Sequence, residues 1–522
     1  MNDEVGGVRQ GIVAEARALL AAARREFAGQ PRADGLLEDC ARRLDQPLRV
    51  ALAGQLKAGK STLLNALVGQ DIAPTDATEC TRMVTWYRHG SPPRVSAVST
   101  DGARADVVVR RLPGADGLPG AHGLTFDLSA LRWPGGAHRE VDHLAVEWPA
   151  ATLARTTIID TPGISSLSRA VSRRTERLLA DESADDALPA ADAVVYLLRR
   201  LDAADIGFLE QIGTGEHGPL GVIGVVSRAD EIGSGRIDAL HSARDVASRF
   251  AGELERTGLC QEVIPVAGLL AFAAATLRQR EFDAFEALAA VPVDDLGLAL
   301  LSADRFARPD LSLPVPPALR AHLVARFGLF GIRLAVTLIR LGARDSSALA
   351  TELSRRSGLD ELRTVLDVQF AQRADQLKAH SALTGLARVL TAHPGTASDQ
   401  LLPRVRTLLA DVHGFAELRL LGHLRTDELP LPPEDLTELH RLIGGTGIAA
   451  HLRLGLPPDA TATELRDRAL SAIRKWRARA AHPLADQFTA NACRTATRSA
   501  EGLLDLLQDP PTTPFARIAP PR

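Results

Sequence analysis

The stretch Gly54-Gln55-Leu56-Lys57-Ala58-Gly59-Lys60-Ser61 matches the pattern G-x-x-x-x-G-K-[ST], and its neighbours decide how to read it. Leu48 to Ala53 is a short, mostly apolar run of the kind that forms a buried parallel strand. Thr62 to Val68 is an apolar helical stretch. A strand, a glycine-bounded loop and a helix in that order predict a phosphate-binding loop. Glycines such as Gly54 and Gly59 let successive N–H groups, including those of Ala58 and Thr62, converge on phosphate oxygens, and the helix N-terminus adds partial positive charge. Lys60 is predicted to bridge the outer phosphates, and the Ser61 hydroxyl to coordinate Mg²⁺.

Composition agrees that any bound anion is held locally. The 522 residues carry 61 Lys plus Arg against 64 Asp plus Glu, a formal charge of -3, so no bulk field draws the chain to nucleic acid. Only four residues are lysines: Lys57, Lys60, Lys378 and Lys475. Two of the four fall in the phosphate loop. At 45% hydrophobic and 24% charged the chain is a globular one, long enough for two or three domains. The four cysteines, Cys40, Cys80, Cys260 and Cys493, lie far apart without paired metal spacing and fit a reduced interior. No basic n-region precedes an apolar run at the N-terminus, and the longest uncharged run, Val263 to Leu277, is too short to span a bilayer. The expectation is a soluble, cytoplasmic chain that touches a membrane peripherally if at all, at the inner face of the plasma membrane.

Residues 1–46 read as an N-terminal helical segment, a hairpin broken near Pro31, that packs with the C-terminal helices. From 47 to 270, short runs (Val84 to Tyr87, Val107 to Val109, Leu144 to Trp148, Thr157 to Ile159, Ala193 to Leu198, Val222 to Val226, Val263 to Val266) alternate with helical stretches. That is the α/β pattern of a mostly parallel sheet with helices on both faces. From 271 to 508 nearly everything follows a 3.6-residue period, predicting an elongated all-α bundle. Leu359 to Leu390, free of proline, predicts one rod of roughly 45 to 50 Å. The proline-rich 509–522 reads as a disordered tail.

The elements after the phosphate loop specify the nucleotide. Thr157-Ile158-Ile159 leads into Asp160-Thr161-Pro162-Gly163, a D-x-x-G arrangement in which Asp160 reaches Mg²⁺ through water and the Gly163 N–H senses a γ-phosphate. Val222 to Val226 leads into Ser227-Arg228-Ala229-Asp230, a variant of the [NT]-K-x-D element whose carboxylate accepts two hydrogen bonds from guanine. Adenine has no such donor pair. Gly268, in Val266-Ala267-Gly268, is the candidate backbone contact to the guanine oxygen. Of Thr75, Thr78 and Thr81, we assign Thr81 as the switch threonine that closes over Mg²⁺ and the γ-phosphate, because it precedes the Val84 to Tyr87 strand.

Residues 54–69 (GQLKAGKSTLLNALVG), 71–88 (DIAPTDATECTRMVTWYR), Asp160 to Gly163 and Ser227 to Asp230 together resemble bacterial dynamin-like GTPases. Within these the chain is most similar to the isoniazid-inducible dynamin-like proteins of actinobacteria, nearest the C member. The resemblance continues through 326–333 (RFGLFGIR) and 370–380 (FAQRADQLKAH). It implies a GTPase domain over 47–270 with a helical neck and stalk over 271–508. It also implies hydrolysis of GTP to GDP and phosphate with Mg²⁺, dimerisation with itself or a related subunit through the GTPase heads, and membrane remodelling linked to envelope stress or drug tolerance. By position, Gly54, Gly59, Lys60, Ser61, Thr81, Asp160, Gly163 and Asp230 match that family's nucleotide and metal contacts.

Two departures qualify the match. Eukaryotic dynamins have Gln and Ser where this chain has Leu56 and Lys57, and Leu56 cannot orient an attacking water by hydrogen bonding. Slow or partner-dependent turnover is therefore expected. Lys57 is a catalytic candidate, standing in for the monovalent cation or arginine finger that neutralises charge between the β- and γ-phosphates. Arg228 replaces the usual lysine of the base-reading element. The alternative function is a slow-turnover GTP-binding subunit that assembles with another dynamin-like protein. For lipid contact the candidates are the loops 311–317 and 391–402 and the basic face Arg474, Lys475, Arg477 and Arg479.

Overall fold

In a computed structural model, the structure describes residues 6–75, 83–113, 119–136, 139–163, 191–213, 221–232, 239–255, 260, 262–424, 429–483 and 485–508. Thr78, Thr81, Cys80 and the 509–522 tail lie outside them. Eleven strands are present among the described residues: β1 (Leu48–Gly54), β2 (Thr85–His89), β3 (Arg94–Ser99), β4 (Arg104–Asp106), β5 (Val108–Pro113), β6 (Pro119–Asp127), β7 (Val141–Trp148), β8 (Thr156–Asp160), β9 (Ala193–Leu198), β10 (Gly221–Ser227) and β11 (Glu262–Val266).

Nine of them form one sheet in the order β11-β10-β9-β1-β8-β2-β7-β3-β4. β8, β1, β9, β10 and β11 run parallel to one another. β2 pairs antiparallel with β8 and parallel with β7, and β3 and β4 continue antiparallel. The sequences explain the centre. AVVYLL of β9 and GVIGVVS of β10 are buried along their whole length, as strands covered on both faces must be. β5 and β6 form a separate two-stranded sheet.

The chain divides into two compact units, 47–367 and 1–46 with 368–522. The predicted boundary at 270 is therefore displaced: the helices over 271–367 belong with the sheet. Their apolar faces explain why. Phe282, Phe285, Phe306 and Phe327 are buried in a cluster that includes Ala229, Ala267 and Leu270 from the ends of the sheet. In the other unit, the helices Gly6–Glu26 and Pro31–Asp45 pack on the helix Ala374–Ala392. Its second core surrounds Trp476, Leu439 and Cys493.

The rod expected from Leu359 to Leu390 is absent. A helix Leu359–Gln369 ends in a 3-10 turn, Ala371–Arg373, before Ala374–Ala392 begins. Phe370 is buried there, and the buried Arg373 donates to the carbonyls of Ile443 and Gly444 at 3.0 and 2.7 Å. These tertiary contacts override a local sequence that carries no helix breaker.

Among the described residues one helix, Pro317–Arg340, is long and apolar enough to cross a membrane, and 56% of its apolar window is buried inside the protein. Of the lipid candidates, 311–317 packs partly inward and Lys475 and Arg479 are paired, while Arg474, Arg477 and much of 391–402 are exposed. Val315 is buried, with Leu311 and Leu313 packed on the same cluster. Lys475 binds Asp435 and Glu438 at 2.6 and 2.8 Å, and Arg479 pairs with Asp435.

Candidate functional site

The parallel strands end together, and the site is built on those ends, beside the point where β1 separates chain segments running to either side. The loop after β1 is shaped by its glycines. Gly54 has φ 141° and a Cβ there would lie 2.5 Å from the Leu197 carbonyl oxygen on β9. Gly59, at φ 93°, precedes the helix Lys60–Val68. Lys57 adopts the left-handed φ of 62°, a conformation that costs a non-glycine residue about 1 kcal/mol or more. Its side chain is exposed on the cavity rim.

Two adjoining cavities lie over this loop. The first, about 340 Å³, is lined by Leu56, Lys57, Lys60, Ser61, Asp160 and Gly163, with Thr75 and Arg228 at its border. The second, about 260 Å³, is lined by Ala58, Gly59, Thr62, Ser227, Asp230 and Gly268, again with Thr75 and Arg228. The fold thus gathers the phosphate loop, the D-x-x-G turn and the Ser227 to Asp230 turn around two cavities whose linings share Thr75 and Arg228. Thr81 lies outside the described residues; Thr75 is the threonine the structure brings to both cavities.

Within the first cavity the polar groups bond mostly to one another and to the loop backbone. Ser61 Oγ donates to Asp160 Oδ2 at 2.8 Å, while the buried Asp160 Oδ1 has no protein partner. Lys60 Nζ donates to the carbonyls of Gly54 and Gln55, both at 3.1 Å. Burial raises the Asp160 pKa against the opposing pull of Lys60 and Ser61. It also lowers that of Lys60, against the attraction of Asp160. A bound Mg²⁺–phosphate complex would relieve both. A hydroxyl, one carboxylate and room for phosphate and water oxygens is the donor set Mg²⁺ accepts, so Ser61 and Asp160 fit that ion. Among the described residues no cluster of three or more His, Cys, Asp or Glu side chains suits a metal, and a phosphate-loop Mg²⁺ does not require one.

Backbone contacts fix the flanking turns. Thr161 Oγ1 donates to Leu52 O at 2.8 Å, pinning the start of the D-x-x-G turn to β1. A Cβ on Gly163 would fall 2.6 Å from Leu56 Cα and 2.7 Å from Leu56 N, so this glycine lies directly against the phosphate-loop backbone. On the other side, the turn Ala229–Glu231 presents a buried Asp230. Burial lifts its carboxyl to about 6. Arg228, at φ 53°, donates to Glu231 at 2.6 Å. Ser227 Oγ donates to Leu198 O at 3.2 Å, stitching β10 to β9.

Sequence reading missed several positioning residues. The buried Asn65 accepts from Ile72 N and Ala73 N at 2.9 and 2.8 Å and donates to Ala73 O at 2.9 Å, which holds the segment leading to Thr75. Gln55 Nε2 donates to Asp202 and Asp205 at 2.8 and 3.1 Å, and Tyr196 OH donates to Asp205 at 2.7 Å. Neither arrangement has a short-range motif. Only a polar Asn inside the apolar run Thr62 to Val68 hinted at the first.

Comparison with known proteins follows the same residues. The model of the dynamin family matches residues 50–113. The isoniazid-induced protein IniC of Mycobacterium tuberculosis is 51% identical over 94% of this chain and 97% of its own length. The chain belongs to this dynamin-like, isoniazid-induced protein family. Two further relatives match over parts of the chain. The isoniazid-induced protein IniA of the same organism is 26% identical over 46% of this chain and 33% of its own length. A bacterial dynamin-like protein of Nostoc punctiforme is 30% identical over 22% of this chain and 17% of its own. Membership makes this a dynamin-like protein of GTPase type, with most of β1, the phosphate loop and β2 to β5 inside the matched family segment.

Proposed function

We propose that the chain binds GTP with Mg²⁺ in the two cavities, hydrolyses it to GDP and phosphate, and uses the cycle to drive dimerisation and membrane remodelling. The observation that carries this reading is the pairing of Ser61 with an Asp160 whose second oxygen is buried and unpartnered, in a cavity that also holds Lys60 and shares Thr75 and Arg228 with the cavity at Asp230. In this scheme Ser61 and Asp160 would hold the Mg²⁺, which would supply charge neutralisation at the phosphates. Lys60, the loop N–H groups of Ala58, Gly59 and Thr62, and Gly163 bind the phosphates, and Lys57 meets charge developing on the bridging oxygen. Asp230 accepts from the guanine ring, beside Arg228 and Gly268. A threonine closes over the γ-phosphate: Thr81 by its place before β2, with Thr75 already at the cavity. The protein works in the cytoplasm, peripherally at the inner face of the plasma membrane.

A second reading has its own support. Leu56 is 44% exposed at the first cavity, where a hydrogen-bonding side chain would be needed to orient water, and Gln55 is turned to Asp202 and Asp205. A subunit that binds GTP, turns it over slowly and pairs with a related dynamin-like protein fits those positions. Phosphate release and mant-GDP binding, measured on the wild type, K57A and K60A, separate the parts. K60A is expected to lose nucleotide affinity by at least 100-fold. K57A should keep its affinity and lose at least tenfold in kcat. Unaltered kcat in K57A would remove Lys57 from catalysis. Undetectable wild-type turnover with normal binding would favour the partner-subunit reading.

A further inference from the structure

The second cavity has a wall that no nucleotide motif predicts. Besides the phosphate loop and the turns after β10 and β11, it is lined by Ala325, from the helix Pro317–Arg340. That helix is interrupted at Gly328, whose φ of 63° and ψ of 175° lie in a region open essentially to glycine alone. A Cβ at this glycine would stand 3.7 Å from Asp230 Oδ2. The kink therefore falls where the helix passes the carboxylate assigned to the base.

The residues between and beside these two positions are anchored elsewhere. Arg326 is buried, with Nε 2.8 Å from Glu281 Oε1 and a terminal nitrogen donating to Thr276 O and Oγ1 at 3.0 and 2.9 Å. His322 Nε2 meets the same Glu281 oxygen at 2.9 Å. Phe327 is fully buried and packs edge-on against Phe285, with ring centroids 5.0 Å apart. These contacts hold the helix at a fixed height. Ala325 is left exposed toward the cavity, and Gly328 passes close to Asp230.

We infer that the kinked helix Pro317–Arg340 forms part of the nucleotide site, with Ala325 and Gly328 acting as specificity-determining positions that wall the purine base against Asp230. The inference rests on the guanine-nucleotide reading above and extends the site beyond the sheet-borne loops. Small residues at both positions leave the face over Asp230 clear for a flat ring. A larger side chain at 325 takes up the space of the base without touching the phosphate loop, so base binding and phosphate binding come apart.

The test uses the full chain with Mg²⁺ and titrates GDP, ADP and inorganic tripolyphosphate into the wild type, A325F and G328A, with thermal unfolding measured in parallel. A325F is expected to lose at least tenfold in GDP affinity while tripolyphosphate affinity stays within twofold and the melting temperature holds. G328A, strained at this positive φ, should melt earlier than the wild type and, where still folded, show the same selective loss. Should A325F melt early, A325Q, which adds length without apolar bulk, takes its place in the comparison. GDP affinity unchanged in a folded 325 variant would overturn the inference, as would equal losses for GDP and tripolyphosphate. The outcomes separate from the parent reading. A wild type that prefers ADP, with A325F weakening ADP alone, would sink the guanine assignment and keep the wall.

Discussion

Asp230 carries the sharpest consequence at the residue scale, because guanine recognition requires its ionised form. Burial holds the carboxyl at about 6 in the free protein. Protonation below that pH removes the acceptor of the two guanine N–H donors. The sign is then fixed: guanine affinity rises with pH and levels off above neutrality. For one group titrating near 6, GDP binding should be about tenfold weaker at pH 5 than at pH 7, with the difference lost in D230N. Fluorescence titration across that range checks this, and a flat profile in the wild type would contradict it. Lys60, Ser61, Gly163 and Asp230 were legible in the sequence because their chemistry is packed into short motifs. Asn65 and the Gln55–Asp205–Tyr196 chain were not, since each joins residues whose proximity is created only by the fold.

At the scale of elements, the short apolar runs marked the sheet, and β1, β7, β8, β9, β10 and β11 fall within a residue or a few of where the sequence puts them. β3, β4 and β6 did not, being short or rich in arginine, serine and glycine. The break after Gln369 was invisible because burial of Phe370 and Arg373, rather than proline or glycine, ends the helix. One turn links distant elements to the site. Gly358, at φ 79°, would place a Cβ 2.2 Å from Pro265 O, and Ser357 O accepts from Ala267 N at 2.8 Å. This turn braces the loop carrying Gly268. Gly358→Ala should destabilise by about 2 to 4 kcal/mol, from positive-φ strain and overpacking together, and weaken GDP binding. A denaturant midpoint equal to the wild type's would disprove the brace.

At the scale of the whole molecule, the helices that sequence periodicity separated from the sheet at 270 divide instead at 367, into a unit that holds the site and a second unit with its own buried polar centre. There Glu417 accepts from Ser499 Oγ at 2.6 Å, meets His413 at 3.2 Å and pairs with Arg453. Burial alone would raise its pKa, but Arg453 and His413 hold it at about 2. A carboxyl depressed on folding contributes stability that is complete above its unfolded pKa, near 4.5, and is lost as pH falls toward 2. From 4.5 to 2 this amounts to about 3 kcal/mol. Circular dichroism of the wild type should show helical melting temperatures falling across that window. E417Q should start lower at pH 7 and change less between pH 4.5 and 2. Parallel profiles for the two proteins would exclude Glu417 as the acid-labile group.

The proposed activity requires a guanine nucleotide that spans the phosphate loop and Asp230. Calorimetric titration of the full chain with GDP, ADP and XDP in Mg²⁺, on the wild type and D230N, tests this most directly. Xanthine carries a carbonyl where guanine has its amine, so an amide at 230 can donate to it. The wild type is predicted to prefer GDP over ADP by at least 100-fold, and D230N to lose GDP and gain XDP. Equal wild-type affinity for GDP and ADP, or a D230N profile identical to the wild type's, would contradict the account.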